Sequence, residues 1–416
     1  MIADKLIKEV LAKLIASGSL TGALGTTGDI STRLRMNPLL KTLLKRRMSR
    51  HGTYLPARNI TEIREKTLRY VESMRIQGRP HGQYRYSASN EDPVLYASTY
   101  ACLVRHLYGD VDRLSEQEKR EWVDYMQSHQ SDDGLFRDPA IGNRLANSVD
   151  WWGWRHLTVH VTLALAALGA VAQRRFQFLE RFRDRGCMPR WVESRRWKDN
   201  PANVSNEIQN FGTLLQYTRD FQGETWAENA LNDLFDGLDA VQDSETGLWG
   251  NRFDTPALLS NGVQAGYHLW LLYFYDRKPL RFVERIVDNC LATQNELGGF
   301  GPFLNSSACE DIDSIDPLAR LYFVTSYGKG RIHSSMERAL NWVLANMNTD
   351  GGFVFRRYEP FLYGHGSMFS GTNRSAMFPT WFRTLSFAWL GKVLPSSIVG
   401  GFDWRFVECP GYQFWR

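Results

Sequence analysis

QSDDGLF (Gln130–Phe136), QDSETGLWG (Gln242–Gly250), QNELGGFG (Gln294–Gly301) and NTDGGFVF (Asn348–Phe355) are variants of one phrase. In each, polar residues lead to a glycine, one further residue and an aromatic ring. A shorter form, GQY, stands at Gly82, and a weaker one, RGCMPRW, at Gly186. The six glycines are separated by 52, 52, 61, 51 and 53 residues. Self-similarity at a nearly fixed period marks a chain of stacked supersecondary units.

The segments between the glycines alternate in character. Before each turn lies an amphipathic, charged helical pattern, such as EQEKREWVDYMQSHQ (116–130) or IHSSMERALNWVLANMN (332–348). After each turn lies a more apolar one, such as PVLYASTYACLVRHLYG (93–109), NGVQAGYHLWLLYFYD (261–276) or AMFPTWFRTLSFAWLG (376–391). A single apolar stripe belongs to an outer helix, and hydrophobicity on most sides belongs to an inner one. Glycine supplies the positive φ that ends a helix. The expected fold is all-α: an (α/α)6 toroid of six outer–inner hairpins over residues 56–395. A basic amphipathic arm and linker (1–55) precedes it, and an aromatic tail (396–416) packs back on it. An open superhelix is the alternative.

CEDIDSID (309–316) crowds Glu310, Asp311, Asp313 and Asp316 into the start of the fifth inner helix. Helix N-termini favour negative charge. Asp316–Pro317 reads as an N-cap followed by proline at the first helical position, as does Asp92–Pro93. Asp311 and Asp313 would then lie just ahead of the helix, at the mouth of the ring.

The glycine–aromatic phrase resembles the repeats of the terpenoid cyclase and protein prenyltransferase superfamily, the squalene-cyclase-like toroids. The likeness covers about six sevenths of the chain. It implies a central cavity with its chemistry at one mouth. Class II terpene cyclases carry an Asp-x-Asp-Asp motif whose middle acid protonates an alkene or epoxide. Asp313 matches that middle position and Asp311 the first, while Ser314 replaces the last. Glu310 or Asp316 would have to supply the missing carboxylate that keeps Asp313 protonated. The prenyltransferase branch suggests zinc instead, held by Cys309, Asp311 and His365, although there the family has Asp before Cys.

Other residues expected in the cavity are Asp150, Trp151, Trp154 and His156 at the second inner helix, His268 in the fourth, and Trp381 and Arg383 in the sixth. An arginine in so apolar a helix needs an anionic partner, either a substrate diphosphate or a neighbouring acid. Asn203, Asn206 and Glu207, Asn261, and Asn373 read mostly as helix caps. No magnesium-binding Asp-Asp-x-x-Asp cluster, P-loop, dinucleotide fingerprint or zincin motif is present.

Four functions follow as expectations. The first is protonation-initiated, class II-like cyclisation of a hydrophobic isoprenoid, without a cofactor. The second is a carbohydrate-active (α/α)6 enzyme (a lyase, hydrolase or epimerase) with Trp151 and Trp154 stacking on sugars. The third is a non-catalytic ring that binds a partner, and the fourth a zinc-dependent prenyltransferase. A dry apolar cavity would mark the first, and a polar cleft with aromatic platforms the second. Residues 1–52 carry a charge of +7 in a chain of net +5, so the arm could lie on an anionic membrane. Five scattered cysteines without a C-x-x-C pair suggest a reduced, cytoplasmic chain, which the arm would hold peripherally at the inner membrane face. Nucleic-acid binding has no support beyond the basic arm. The aromatic tail packs on the ring or on a second copy of the chain.

Overall fold

The computed structural model describes residues 38–50, 59–141, 153–250 and 253–416. Six helices form the inner ring: α3 (Leu95–Leu107), α5 (Trp154–Ala167), α7 (Pro201–Asp220), α9 (Pro256–Tyr275), α11 (Ala308–Val324) and α13 (Met377–Val393). Each packs against the next, and α13 returns to α3, so the ring is closed. Outside it lie α2 (Ile60–Ser73), α4 (Glu116–Gln127), α8 (Trp226–Val241), α10 (Val283–Ala292) and α12 (Lys329–Ala345). The third hairpin departs from the pattern. Its outer element is a 3-10 segment, Gln177–Phe182, and the short α6 (Cys187–Glu193) follows Gly186.

The outer helices obey their periodicity: α10 buries Ile286, Val287 and Cys290, and α12 buries Ile332, Met336, Ala339 and Val343. Inner helices are apolar nearly all round because outer helices, neighbours and lumen meet every face. Proline opens α7 after Asn200 and α9 after Thr255, each cap accepting a backbone N–H.

The quoted phrase is the joint between hairpins. Gln294 donates to the Gly298 carbonyl at 2.9 Å and to the Ser335 carbonyl of α12 at 2.9 Å. Gln130 makes the matching pair to Gly134 and Arg174. Gly351 has φ +93°, and a Cβ there would collide with the Lys66 carbonyl of α2. Thr67 of α2 donates to the Gly351 carbonyl at 3.1 Å. The sixth turn therefore docks on the first outer helix, which is the contact that closes the outer wall.

Both ends of the described chain rest on this ring. In α1 (Pro38–Arg50), Leu40 and Leu44 cover Trp342, and Arg47 donates to the carbonyls of Ala345, the last residue of α12, and of Met347 just after it. Residues 1–37, on which the membrane reading mainly rests, lie outside the described residues. Among the described residues no helix is long and apolar enough to cross a membrane. The tail crosses the end of the ring where the inner helices finish. Tyr412 donates to Gln209 at 2.9 Å, Gln413 bonds to Trp381 and the Leu103 carbonyl, and the Phe414 carbonyl accepts from Arg320.

Gly351→Ala is expected to cost about 2–4 kcal/mol, from left-handed strain plus the collision. Gly330, in the first turn of α12 with nothing within 4 Å, is the control. Gly330→Ala is expected to be neutral or to stabilise by up to about 1 kcal/mol. Urea unfolding measures both, and equal midpoints for the two variants would contradict the joint.

Candidate active site

The four clustered acids do not stand ahead of a helix. Ser307 and Glu310 form a capping box that starts α11 at Ala308, so all four lie inside it, with Pro317 in its interior. This corrects the reading of Asp316–Pro317 as a start signal. Asp92 is likewise no cap: Val94 holds that position in α3, and the Leu95 N–H donates to Asp138 at 2.6 Å.

Three of the acids have structural work. Glu310 accepts from the Ser307 N–H and pairs with Arg356 at 2.7 Å. Burial opposes its ionisation, but Arg356 and the cap bring its carboxyl below the usual value. Asp311 is fully buried and accepts from the Phe300 N–H, Ser306, Trp342 and Arg383 at 2.7–2.9 Å. Arg383 also donates to the carbonyls of Val354 and Phe355. Its anionic partner is thus Asp311, not a diphosphate. Asp316 pairs with Arg320 one turn on; burial pushes its carboxyl up to about 6 against the pull of that guanidinium.

Repeat symmetry explains Asp311. Thr158 of α5 and Thr380 of α13 each accept the N–H of the turn aromatic at 3.0 Å, as Asp311 does in the fifth hairpin. Ser98 of α3 accepts the Trp122 indole as Asp311 accepts that of Trp342. Asp311 therefore occupies a joint position that other hairpins fill with Ser or Thr.

Asp313 is different. It is 3% exposed and makes no hydrogen bond or ion pair with any described residue. Burial, and then the carboxylates of Glu310, Asp311 and Asp316, push its carboxyl well above the ordinary value. Cys309 lies one turn before it on the same face and feels its charge. The zinc set is not assembled: positions two apart on a helix point about 200° apart, Asp311 is consumed by Arg383, and His365 Nδ1 accepts the Ser367 N–H. Among the described residues no group of three His, Cys, Asp or Glu is placed to hold a metal.

The lumen has two halves. On α7 and α9, Asn203, Asn206, Asn210, Asn261, Gln264 and His268 recur at three- and four-residue steps, most of them with residual exposure between helices packed on both sides. Asn206 donates to His268 Nε2 at 3.2 Å, which leaves the proton on Nδ1 to donate to Ser205 at 3.0 Å. Gln209 accepts from Tyr412, and its buried Nε2 has no partner among the described residues. The facing half, from α3 and α13, is aromatic. Tyr100 stacks on Trp381 at 5.1 Å and Phe378 on Tyr363 at 4.3 Å, the latter carried by the hairpin β1 (Phe361–Leu362) and β2 (Phe369–Ser370). Between the halves, Tyr96 bonds His156 at 2.8 Å, His156 bonds His160 at 3.2 Å, and His160 stacks on Tyr412. Burial lowers His156 and His268 to about 3, so both are neutral.

Of the residues expected in the cavity, Trp154, His156, His268 and Trp381 lie on inner helices, the last three within the contacts just described. Asp150 and Trp151 lie outside the described residues. The polar stripe was missed because its asparagines read as caps, yet the caps are Asn200 and Thr255. Asn373 is not a cap either; at φ +57° it accepts the Tyr358 N–H.

No family model and no curated relative matches this chain. Solved structures to which it is similar include "Glycosyl hydrolase family 88 from Bacteroides vulgatus", at 13% identity and TM-score 0.48, covering 79% of this chain and 98% of that one. Another is a family 76 glycoside hydrolase from a bovine Bacteroides thetaiotaomicron strain, at 12% identity and TM-score 0.44, covering 79% and 76%. The expected kinship with terpenoid and squalene cyclases or prenyltransferases is corrected accordingly, and so is the hydrophobic isoprenoid substrate. The physical reason lies in the lumen. An amide-lined wall would leave its donors and acceptors unsatisfied against a hydrocarbon, and the first acid of the supposed motif is locked to Arg383.

Neutral burial of His156 makes a pH prediction. Its folded value lies below its unfolded one, so its contribution is full above about pH 6.5 and is lost as pH falls toward about 3. Between pH 6 and 4, His156→Gln is expected to lose stability less steeply than the wild type, by about 1.4 kcal/mol per pH unit. Urea midpoints across that range test it, and parallel slopes would contradict it.

Proposed function

We propose that the ring is a carbohydrate-active enzyme, with Asp313 as general acid in a lumen that binds a polyhydroxylated substrate. The observation that carries this reading is the pairing pattern of the four acids. Three are committed to Arg356, Arg383 and Arg320, and the fourth has no partner among the described residues, with its carboxyl pushed well above the ordinary value by burial and by the other three acids. A carboxyl kept protonated near neutral pH can give its proton to a leaving oxygen. The walls support the substrate class. The amides of α7 and α9, with neutral His268, offer both donors and acceptors to hydroxyls, and the aromatic half offers faces to the apolar side of a sugar ring.

The roles divide by residue. Asp313 donates the proton. Glu310, Asp311 and Asp316 raise its affinity for that proton by their charge while remaining paired themselves. Asn206, His268 and Gln264 orient hydroxyls, and Tyr363 and Phe378 supply the stacking surface. Tyr267 and Tyr412 lie close enough to Asp313 to feel its charge, and they keep bulk water from its inner side.

A panel of oligosaccharides assayed with wild type and Asp313→Asn tests this. The substitution is expected to lower kcat by about 10²–10⁴-fold on whichever substrate turns over. It should leave folding intact or more stable above neutral pH, because it removes a buried carboxyl whose ionisation is penalised. Unchanged turnover would remove Asp313 from the chemistry.

A further inference from the structure

At the end of the ring where the inner helices finish, three of the six well-exposed large apolar side chains among the described residues come together. Phe323 and Val324 close α11 at 50% and 70% exposure, and Trp415 of the tail is 38% exposed. Phe323 meets Trp415 edge to face with ring centres 5.5 Å apart, and Tyr322 meets Phe323 in the same way at 5.3 Å. Trp415 also packs on Trp389 at 5.4 Å and on Phe406 at 6.2 Å, so the strip is held from behind.

A lysine stands at each end of this strip. The ammonium of Lys329, first residue of α12, lies 5.3 Å from the centre of Tyr322. That of Lys392, near the end of α13, lies 5.3 Å from the centre of Trp415. Neither makes an ion pair or a side-chain hydrogen bond with any described residue. Asp220, Asp276, Asp288 and Asp403 at the same end each have an arginine partner. The side chains that flank the rings thus bring positive charge without a counter-ion of their own.

Rings beside ammonium groups match the boundary between water and lipid. Aromatic and aliphatic groups enter the headgroup layer, and lysine stems lie along them while the charge meets lipid oxyanions. Other occupants fit less well. Rings that meet edge to face give no coplanar platform for a sugar chain. A second copy packed about a two-fold axis would set lysine against lysine. Among the described residues no strand lies at this end for a peptide to extend.

We infer that Phe323, Val324 and Trp415, flanked by Lys329 and Lys392, dock this end of the ring on an anionic lipid surface, with the mouth of the lumen turned away from it. The contact is shallow and reversible, because it rests on a few side chains at the end of the fold. It is separate from the basic arm at residues 1–52, and it does not depend on what the lumen binds.

Flotation of the full chain with vesicles tests this, using phosphatidylcholine alone and phosphatidylcholine mixed with phosphatidylserine. Binding is expected on the mixed vesicles and should weaken as salt is raised. Lys329→Gln, Lys392→Gln and Phe323→Ser should each lower the partition constant about 5-fold. Lys119→Gln, whose ammonium is paired with Glu116 on α4, should leave it unchanged. Brominated acyl chains should quench the tryptophan fluorescence of the wild type more than that of Trp415→Phe. The arm has no tryptophan and cannot produce that difference. Full binding by Phe323→Ser and both lysine variants would assign the contact to the arm and overturn the proposal, as would no binding to any vesicle. Retention on an insoluble polysaccharide that Phe323→Ser abolishes, without vesicle binding, would overturn it in favour of a glycan site.

Discussion

A glycine that has no room for a side chain sets the spacing of the whole ring. At each well-formed joint the turn glycine lies against the next outer element, and glutamine side chains bolt several of the turns to it. The next residues enter the ring wall, where the aromatic N–H finds an acceptor on the inner helix. Because the sixth turn meets α2, every hairpin is fixed by two neighbours. Closure follows from the same local contact repeated, with no special closing element.

That joint explains how one acid comes to be free. The inner-helix acceptor of that N–H is Thr158 in the second hairpin, Thr380 in the sixth and Asp311 in the fifth. An aspartate there brings charge into the core, and Arg383 of α13 compensates it at 2.7 Å. Two charges so deeply buried are tolerated because the remaining lone pairs and N–H groups are also bonded. The cost falls on Asp313, two residues on and rotated to the other side of the helix. It is buried in the field of three carboxylates with no cation partner among the described residues, and both effects push its carboxyl up.

The ring itself was legible from residue spacing, because glycine at positive φ and the aromatic beside it are properties of each repeat. The division of labour among the acids was not. It depends on Arg356, Arg383 and Trp342, none of which lies near CEDIDSID in sequence. The start of α11 was misplaced because Asp316–Pro317 is a good cap signal, and Ser307–Glu310 is a better one that buries the proline in the helix. The amide stripe was present in the letters as N203, N206, N210 and N261, Q264, H268 at helical spacing, but asparagine near a helix start also reads as a cap. The likeness to cyclases rested on the joint, which reports how hairpins stack and says nothing about what the lumen holds.

The central claim is that the joint chemistry leaves one protonated carboxyl in a polar lumen. Infrared difference spectroscopy between wild type and Asp313→Asn at pH 7 examines it most directly. The account predicts that the wild type carries a carbonyl stretch of a neutral carboxylic acid that the variant lacks. A difference spectrum showing instead the loss of an ionised carboxylate would mean that Asp313 is deprotonated, and the proposed acid would be gone.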